Sequence, residues 1–371
     1  MVPVVSLAAF ALAYRSWVDA QARAVVVISS VLEAPVLTPA VDAVSGEPRL
    51  EDVSVAGNPA LVVRPAGDGP WPAVFVVNGT VPEGRELPEV RRLAEGFARA
   101  GYLVVVPDLP GLTEDEITPD TVHETVEVAR EVSGRPDAED GEVALVGVST
   151  GATLSLLAAE KASLKGRTSV VAGVAPYADI RTVVNVATTG HYREGMGFRR
   201  HEADPFLSYA IARSLVAALP PGEDRQKLSE ELERVNREDP DPLAGLRARP
   251  TGDLGPEAAS VVKLLANEDP ERFDDLYEAL PKGVCADLAE LSPLAGEGQI
   301  RAPVEVATGP KDKYFPASES YELERIAPGR RVTVTRALDH ARLDFSLSDA
   351  PAFAAFDAFV VRALREARLE G

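Results

Sequence analysis

The sequence predicts an α/β protein: a mostly parallel, doubly wound sheet of about eight strands, with a helical insertion after the sixth strand. From residue 51 onward, short continuous apolar runs alternate with segments of helical periodicity. This pattern is typical of strands that are covered by helices on both faces. Between residues 181 and 295 the apolar runs stop, and helical patterns separated by prolines replace them.

Predicted strands and helices alternate along the chain. The first two strands are expected to pair antiparallel, because a short turn of glycine, asparagine and proline separates them. The predicted strands cover residues 51–55, 60–64, 73–77, 102–106, 143–146, 169–175, 304–308 and 331–335. The predicted helices of the core cover residues 88–100, 118–131, 149–161 and 351–369. Right-handed crossovers between such units place the parallel strands in one sheet.

This order predicts three parts of the chain. They are an N-terminal extension over residues 1–45, a core formed by residues 46–180 and 296–371, and a helical insertion over residues 181–295. The insertion leaves from the edge of the sheet at which ligands bind in open α/β folds. We therefore expect it to act as a cap over the functional site.

The N-terminal extension contains an apolar run, Val2 to Tyr14, that is too short to span a bilayer, since spanning needs roughly 20 residues. The spacing of its apolar residues predicts one or two amphipathic helices over residues 4–33. We expect these to dock on the core of a cytoplasmic protein. A membrane anchor or an export signal is the alternative, and membrane association would then run through this segment.

Composition excludes several classes of function. The 371 residues include 38 Lys and Arg against 58 Asp and Glu, a net charge of −20. Such a chain repels phosphate backbones, so nucleic acid is not an expected partner. A single cysteine, Cys285, cannot form an internal disulfide, and with only four histidines a dedicated zinc site is not expected.

The residues Gly147-Val148-Ser149-Thr150-Gly151 carry the clearest chemical signal. They follow a predicted buried strand and open a helix rich in alanine and leucine. In that context the G-x-S-x-G pattern indicates a sharp turn that exposes a nucleophilic serine. The structural alternative is a glycine-flanked helix start, because serine is also a good N-cap residue.

A serine nucleophile needs a base and a group that orients the base. His340 is the only histidine that lies beyond the last predicted strand, which makes it the expected base. Asp312, in the loop after the strand 304–308, is the expected acid, and Asp179, after the strand 169–175, is the alternative acid. The oxyanion donors are expected to be the backbone N–H groups of Thr150 and Thr80.

At these residues the chain resembles α/β-hydrolases with a helical cap, and among them serine esterases and dienelactone-hydrolase-like proteins. The resemblance covers residues 50–180 and 296–371. It implies a triad of Ser149, Asp312 and His340, with no metal and no organic cofactor. Two features depart from parts of the family. Asn78 stands where many members carry histidine, and Ser149 replaces the cysteine nucleophile of dienelactone hydrolases proper.

The sequence therefore predicts a serine hydrolase that cleaves a small-molecule carboxylic ester through an acyl-enzyme on Ser149. A peptidase, lactonase or thioesterase on the same triad is an alternative, since the fold alone does not separate these activities. A non-catalytic binding protein of the same fold is a further alternative.

Overall fold

The computed structural model describes residues 2–32, 45–296, 300–327, 329–343 and 349–367, apart from the side chains of residues 2–14. Its strands are β1 (Arg49–Val55), β2 (Asn58–Arg64), β3 (Trp71–Val77), β4 (Leu103–Pro107), β5 (Ala138–Val148), β6 (Thr168–Val174), β7 (His191–Glu194), β8 (Gly197–Arg200), β9 (Val304–Thr308), β10 (Arg331–Val334), β11 (Leu338–Asp339) and β12 (Arg342–Leu343). Eight of them form one sheet in the order β1-β2-β4-β3-β5-β6-β9-β10. Among the described pairs of this eight-stranded sheet, only β1–β2 and β2–β4 are antiparallel. The predicted eight-stranded, mostly parallel sheet is confirmed.

The described helices are α1 (Val2–Val31), α2 (Pro88–Arg99), α3 (Pro110–Thr113), α4 (Pro119–Ser133), α5 (Thr150–Glu160), α6 (Ile180–Thr189), α7 (Pro205–Ala217), α8 (Glu223–Glu233), α9 (Ala244–Ala248), α10 (Pro256–Leu265), α11 (Pro270–Glu278), α12 (Lys282–Glu290), α13 (Ser318–Glu322) and α14 (Ala350–Glu366). Proline occupies the first turn of α2, α4, α7, α10, α11 and α14. Proline suits this position because its missing N–H has no partner within the helix.

The two faces of the sheet carry separate apolar cores. In β3, Phe75 and Val77 pack with α4 and α5 on one face, while Val74 and Val76 pack with α1, α2 and α14 on the other. Successive side chains of a strand point to opposite faces, so a continuous apolar run fills both cores. Both faces of the central strands are therefore covered, as the sequence pattern indicates.

β5 is longer than predicted. It begins at Ala138, although residues 138–142 are mostly polar and give no strand pattern. Asp140 and Gly141 adopt left-handed backbone angles, with φ of 58° and 69°, and the pairing register with β6 shifts at Val143. A bulge of this kind breaks the alternation that marks a strand in the sequence.

The chain between β6 and β9 contains helices α6 to α12 and a hairpin formed by β7 and β8. The hairpin has no counterpart in the sequence prediction, because its two four-residue strands are mostly polar and show no apolar alternation. Leu207, Ile211 and Leu215 of α7 belong to the same buried core as Phe75 of the sheet. This packing brings α7 against the core of the α/β fold.

α1 is one continuous helix that packs against α2 and α14. Among the described side chains of α1, from residue 15 onward, the buried ones are Ala20, Ala24, Val27, Ile28 and Ser29. Side chains also tie it down, since Gln21 donates to the Asp357 carboxylate at 3.0 Å and Arg23 donates to the carbonyl of Ala100. Within the described part of the chain, no helix combines the length and the apolar character that a membrane crossing requires.

Candidate active site

Ser149 sits on a sharp turn between β5 and α5. Its backbone has φ of 57° and ψ of −128°, angles that a residue with a side chain rarely adopts. Two glycines make the turn sterically feasible. A Cβ at Gly147 would lie 2.4 Å from the Cα of Ala152, and a Cβ at Gly151 would lie 2.1 Å from the carbonyl oxygen of Asn78. The turn therefore holds Ser149, which is only half-buried, at the carboxyl end of β5.

Asp312 and His340 form a buried pair. The imidazole Nδ1 lies 2.7 Å and 2.9 Å from the two carboxylate oxygens of Asp312. Asp312 Oδ1 also accepts the backbone N–H groups of Tyr314 and Phe315, at 2.8 Å and 3.0 Å. These contacts fix the carboxylate and leave Nε2 of His340, on the opposite edge of the ring, for a reacting group.

His340 occupies the turn between β11 and β12 and has a positive φ of 53°. A Cβ at Gly309 would lie 2.5 Å from the carbonyl oxygen of Leu338, so the loop after β9 passes close beneath this turn. Asp312 follows β9 and Ser149 follows β5, so both lie at the carboxyl edge of the sheet. His340 lies at the same edge because its imidazole contacts Asp312. No hydrogen bond between Ser149 and His340 is found among the described residues. Catalytic hydrogen bonds are often loose before substrate binds.

Asp179, the alternative acid, has a different partner set. It is the N-cap of α6, where its carboxylate accepts the backbone N–H of Arg181 at 3.0 Å and the hydroxyl of Ser292 at 3.1 Å. These contacts are those of a structural cap. The imidazole of His340 faces Asp312 instead.

Thr150 and Thr80, whose backbone N–H groups are the expected oxyanion donors, belong to segments that adjoin Ser149. Thr150 begins α5, so its N–H points out of the helix N-terminus. A Cβ on Gly79 would lie 3.4 Å from the Cβ of Ser149, which places the loop after β3 directly beside the serine. For the N–H groups of Thr80 and Thr150, no protein acceptor is found in the described parts of the chain. Both are therefore available to an oxyanion.

Asn78 fixes the loop that carries Thr80. Its Oδ1 accepts the N–H of Gly79 at 2.9 Å, and its Nδ2 donates to the carbonyl of Gly84 at 3.2 Å. In the sequence, Asn78 is notable only as a departure from histidine. Its two-sided hydrogen bonding shows that an amide holds this loop, a role that only the folded contacts reveal.

Comparison with known proteins assigns this chain to a family. The model of the X-Pro dipeptidyl-peptidase (S15 family) matches residues 59–251, more than half of the chain. The chain belongs to the S15 family. It is therefore a hydrolase of the α/β-hydrolase superfamily, with the serine elbow inside the matched region. A search of curated proteins finds no match to this S15-family sequence.

Solved structures also resemble this S15-family chain at low identity. Proline iminopeptidase from Mycobacterium smegmatis is 17% identical, covering 86% of this chain and 98% of that one, with a TM-score of 0.43. Esterase B from Lactobacillus rhamnosis is 14% identical, covering 94% and 96%, with a TM-score of 0.45. An esterase/lipase from an uncultured bacterium is 15% identical, covering 90% of each chain, with a TM-score of 0.44.

A small cavity adjoins the two N–H groups in this S15-family hydrolase. It has a volume of about 40 Å³ and is lined by Thr80 and Thr150. Apolar side chains from α6, α7 and α12 close it, including Val183, Ile211 and Leu288. None of the described residues that line it carries a charge. A pocket of this kind favours a small, neutral, apolar group beside Thr80 and Thr150.

The insertion is bound to the Asp312 loop. Asp204, just before α7, pairs with Lys313 at 3.1 Å and donates its backbone N–H to the Lys313 carbonyl at 2.7 Å. The ring of Tyr314 lies edge-on to the His340 imidazole, with the ring centroids 4.4 Å apart. Sequence reasoning assigns no role to Asp204 or Tyr314. Only one sequence feature could have indicated that Tyr314 lies near His340, namely its position two residues after the expected acid.

Glu319 is a second residue without a sequence signal. It is buried behind the site, and its Oε2 accepts the backbone N–H groups of Ala178 and Asp179, at 2.9 Å and 2.8 Å. Burial raises the pKa of Glu319 to about 7, although the two N–H groups act in the opposite direction. Glu319 thereby holds the segment that links β6 to α6.

Proposed function

We propose that this chain cleaves a carboxylic ester with a small acyl group through an acyl-enzyme on Ser149. The observation that carries the proposal is the geometry at the carboxyl edge of the sheet. There, the strained Ser149 turn lies beside the N–H groups of Thr80 and Thr150, which have no acceptor among the described residues, and a buried Asp312–His340 pair faces the same edge. This combination supplies a nucleophile, a base and an oxyanion site.

In the proposed reaction, Ser149 Oγ attacks the ester carbonyl while Nε2 of His340 takes its proton. Asp312 holds the imidazole in the required tautomer and stabilises the imidazolium that forms. The N–H groups of Thr80 and Thr150 donate to the developing oxyanion. The imidazolium then protonates the alcohol oxygen as the bond to the carbonyl carbon breaks. Water, activated by the same base, releases the acid.

The small cavity supports an ester over an X-Pro peptide as the substrate. A dipeptidyl-peptidase has to bind the ammonium group at the N-terminus of its substrate, for which a carboxylate is the natural partner. The described lining of the small cavity is uncharged. Cleavage of X-Pro peptides is the second candidate function, because it is what the description of the matched family names.

Labelling with a fluorophosphonate tests the nucleophile. We expect wild type to be labelled, Ser149→Ala to be unlabelled, and the exposed-serine control Ser163→Ala to label like wild type. Loss of the nucleophile should lower kcat by on the order of 10⁶. Activity of Ser149→Ala within about tenfold of wild type, with an unchanged circular dichroism spectrum, would contradict the assignment.

A substrate panel separates the two candidate functions. We expect hydrolysis of p-nitrophenyl acetate and p-nitrophenyl butyrate, with kcat/KM falling as the acyl chain lengthens beyond what a cavity of about 40 Å³ accepts. Alanyl-proline p-nitroanilide should be cleaved slowly or not at all. If the anilide is cleaved with the higher kcat/KM, the chain is a dipeptidyl-peptidase and the ester proposal is wrong.

A further inference from the structure

A second, much larger cavity lies between the sheet and the helices α1, α2 and α14. Its volume is about 700 Å³, within the roughly 300–1,000 Å³ typical of ligand sites. Apolar side chains of β3, β5 and β6, all from one face of the sheet, form its floor. Aliphatic and aromatic side chains of the three helices form its roof, among them Val27, Phe97 and Phe359.

Most of this floor is buried, but its end at the carboxyl edge is accessible, where parallel sheets are ordinarily closed. Val146, Val148 and Val174 lie towards the carboxyl ends of β5 and β6, and each is partly exposed although it faces this cavity. Strands of a doubly wound sheet are normally buried on both faces. Val148 also directly precedes Ser149 in the chain. The accessible apolar surface therefore reaches the base of the serine turn.

Among the lining residues that the structure describes, the polar ones lie at the end of the cavity at the carboxyl edge of the sheet. They come from the loop after β3, the start of α2, the loop after β9 and the turn around His340; Asn78, Tyr314 and His340 are among them. The other described lining residues are apolar. The cavity therefore has a polar mouth at the candidate catalytic centre and an apolar interior, as a site for one end of an amphipathic molecule would.

We infer that this cavity binds the alcohol-side chain of the substrate, so that the preferred esters join a small acyl group to a long-chain alcohol. The inference rests on the proposed ester hydrolysis. The carbonyl oxygen must lie at the N–H groups of Thr80 and Thr150, beside the small cavity, so the acyl group is placed there. The leaving alcohol oxygen must lie within reach of the His340 imidazole that protonates it. The chain attached to that oxygen then faces the large cavity, which His340 lines.

Two isomeric esters test whether the acyl group binds in the small cavity and the alcohol chain in the large one. Decyl acetate and ethyl decanoate have the same composition and differ only in which side of the ester carries the long chain. We expect kcat/KM for decyl acetate to exceed that for ethyl decanoate at least tenfold. From butyl to decyl acetate, kcat/KM should rise by up to about fourfold for each methylene that is buried. Equal values, or a preference for ethyl decanoate, overturn the inference.

These results are distinguishable from failure of the proposed function. If ester hydrolysis itself is the wrong reaction, neither isomer is cleaved, and p-nitrophenyl acetate is either not cleaved or cleaved with a lower kcat/KM than alanyl-proline p-nitroanilide. If only the division of the chains is wrong, p-nitrophenyl acetate is cleaved and the isomers show no preference or the reverse preference.

A cavity-filling variant tests whether the preference for long-chain alcohols depends on the large cavity. Val174→Phe places a larger side chain in the cavity, and Val334→Phe makes the same change at an exposed position of β10. We expect Val174→Phe to lower the decyl-to-butyl acetate ratio of kcat/KM at least tenfold, and Val334→Phe to leave that ratio unchanged. An unchanged ratio in folded Val174→Phe contradicts the inference.

If Val174→Phe does not fold, inhibition of the wild-type protein by alcohols tests binding in the large cavity. In that case we compare 1-decanol with 1-butanol as inhibitors of p-nitrophenyl acetate hydrolysis. Binding of the long alcohol in the cavity should make its inhibition constant at least 100-fold lower. Similar constants for the two alcohols contradict binding there.

Discussion

The Asp312 carboxylate shows how single residues define the candidate site. It is buried, it receives two backbone N–H groups of its own loop, and it faces Nδ1 of His340 at 2.7 Å. Asp179 is equally an aspartate that follows a strand, yet it caps α6. In the sequence the two are similar, because aspartate is common in loops. The contacts of each carboxylate separate their roles.

Replacing each aspartate by asparagine tests this distinction. We expect Asp312→Asn to lower kcat by about 10⁴, since an amide neither holds the correct tautomer of His340 nor stabilises its cation. Asp179→Asn should keep activity within about threefold, because asparagine is as good an N-cap as aspartate. Steady-state kinetics with p-nitrophenyl acetate measures both. A larger loss in Asp179→Asn would reverse the assignment of the acid.

Glu319 provides a pH-dependent contribution to stability. Its pKa is raised from 4.5 to about 7 by burial, so the native state holds this proton more tightly than the unfolded chain does. The contribution of Glu319 to the free energy of unfolding should therefore be fully present below about pH 4.5 and be lost as pH rises through 7. For this single group the decrease is about 3 kcal/mol. Glu160, whose pKa is also raised to about 7 by burial, contributes in the same direction.

Urea unfolding at pH 5 and pH 8 checks this expectation. In Glu319→Gln the amide oxygen still accepts from Ala178 and Asp179 but carries no charge, so the difference between the two pH values should shrink. Glu322→Gln, at an exposed position of the same helix, is the matched control and should behave like wild type. The idea fails if Glu319→Gln retains the full pH dependence.

At the scale of elements, the turn between β5 and α5 depends on the close approach of three segments: β5, α5 and the end of β3. A Cβ at position 151 would lie 2.1 Å and 2.2 Å from the carbonyl oxygens of Asn78 and Val77. These are backbone atoms at the end of β3 and cannot move aside independently. The glycine is thus required by the packing of α5 against β3 and not only by the local turn.

Gly151→Ala is expected to destabilise the protein by more than about 3 kcal/mol, or to prevent folding, because the added methyl group overlaps backbone. Gly283→Ala, in α12, is the matched control: nothing lies within 4 Å of its added methyl group. We expect this control to be neutral or stabilising by up to about 1 kcal/mol. Thermal unfolding of both variants checks the pair. Equal melting temperatures would show that the elbow can relax.

At the scale of the whole molecule, α1 completes the core on one face of the sheet. Ala24 is fully buried, and α1 approaches α2 so closely at Gly96 that a Cβ there would lie 2.9 Å from the Cβ of Ser30. α1 also contributes Val27 and Ile28 to the large cavity. The N-terminal helix is thereby part of the packed protein and borders the surface that we infer to bind substrate.

Gly96→Leu should displace α1 from α2. We expect trypsin to cleave after Arg15 and Arg23 at least tenfold faster than in wild type, as followed by mass spectrometry, because undocked helices open readily. Gly283→Leu has open space around it and should leave the cleavage rate unchanged. Cleavage of Gly96→Leu at the wild-type rate, in folded protein, would show that this contact does not hold α1.

The sequence by itself determined the strand–helix order, the serine turn and the histidine beyond the last strand. These are local patterns: continuous apolar runs, glycines at fixed spacing and position along the chain. The fold of the sheet followed from them and is confirmed by its strand order. The roles of Ser149, Asp312, His340, Thr80 and Thr150 stay predictions that the experiments above address.

Tertiary structure alone decided the features that depend on contacts between distant segments. The sequence makes Asp312 the expected acid and leaves Asp179 as the alternative, and only the structure shows His340, 28 residues beyond Asp312, facing Asp312. The two cavities likewise form from side chains that are separate along the chain, and each of those side chains is, in the sequence, an ordinary core residue. Apolar periodicity in the sequence predicts which residues are buried. The positions of the cavities depend on how closely the helices and strands pack against one another, which the sequence pattern does not give.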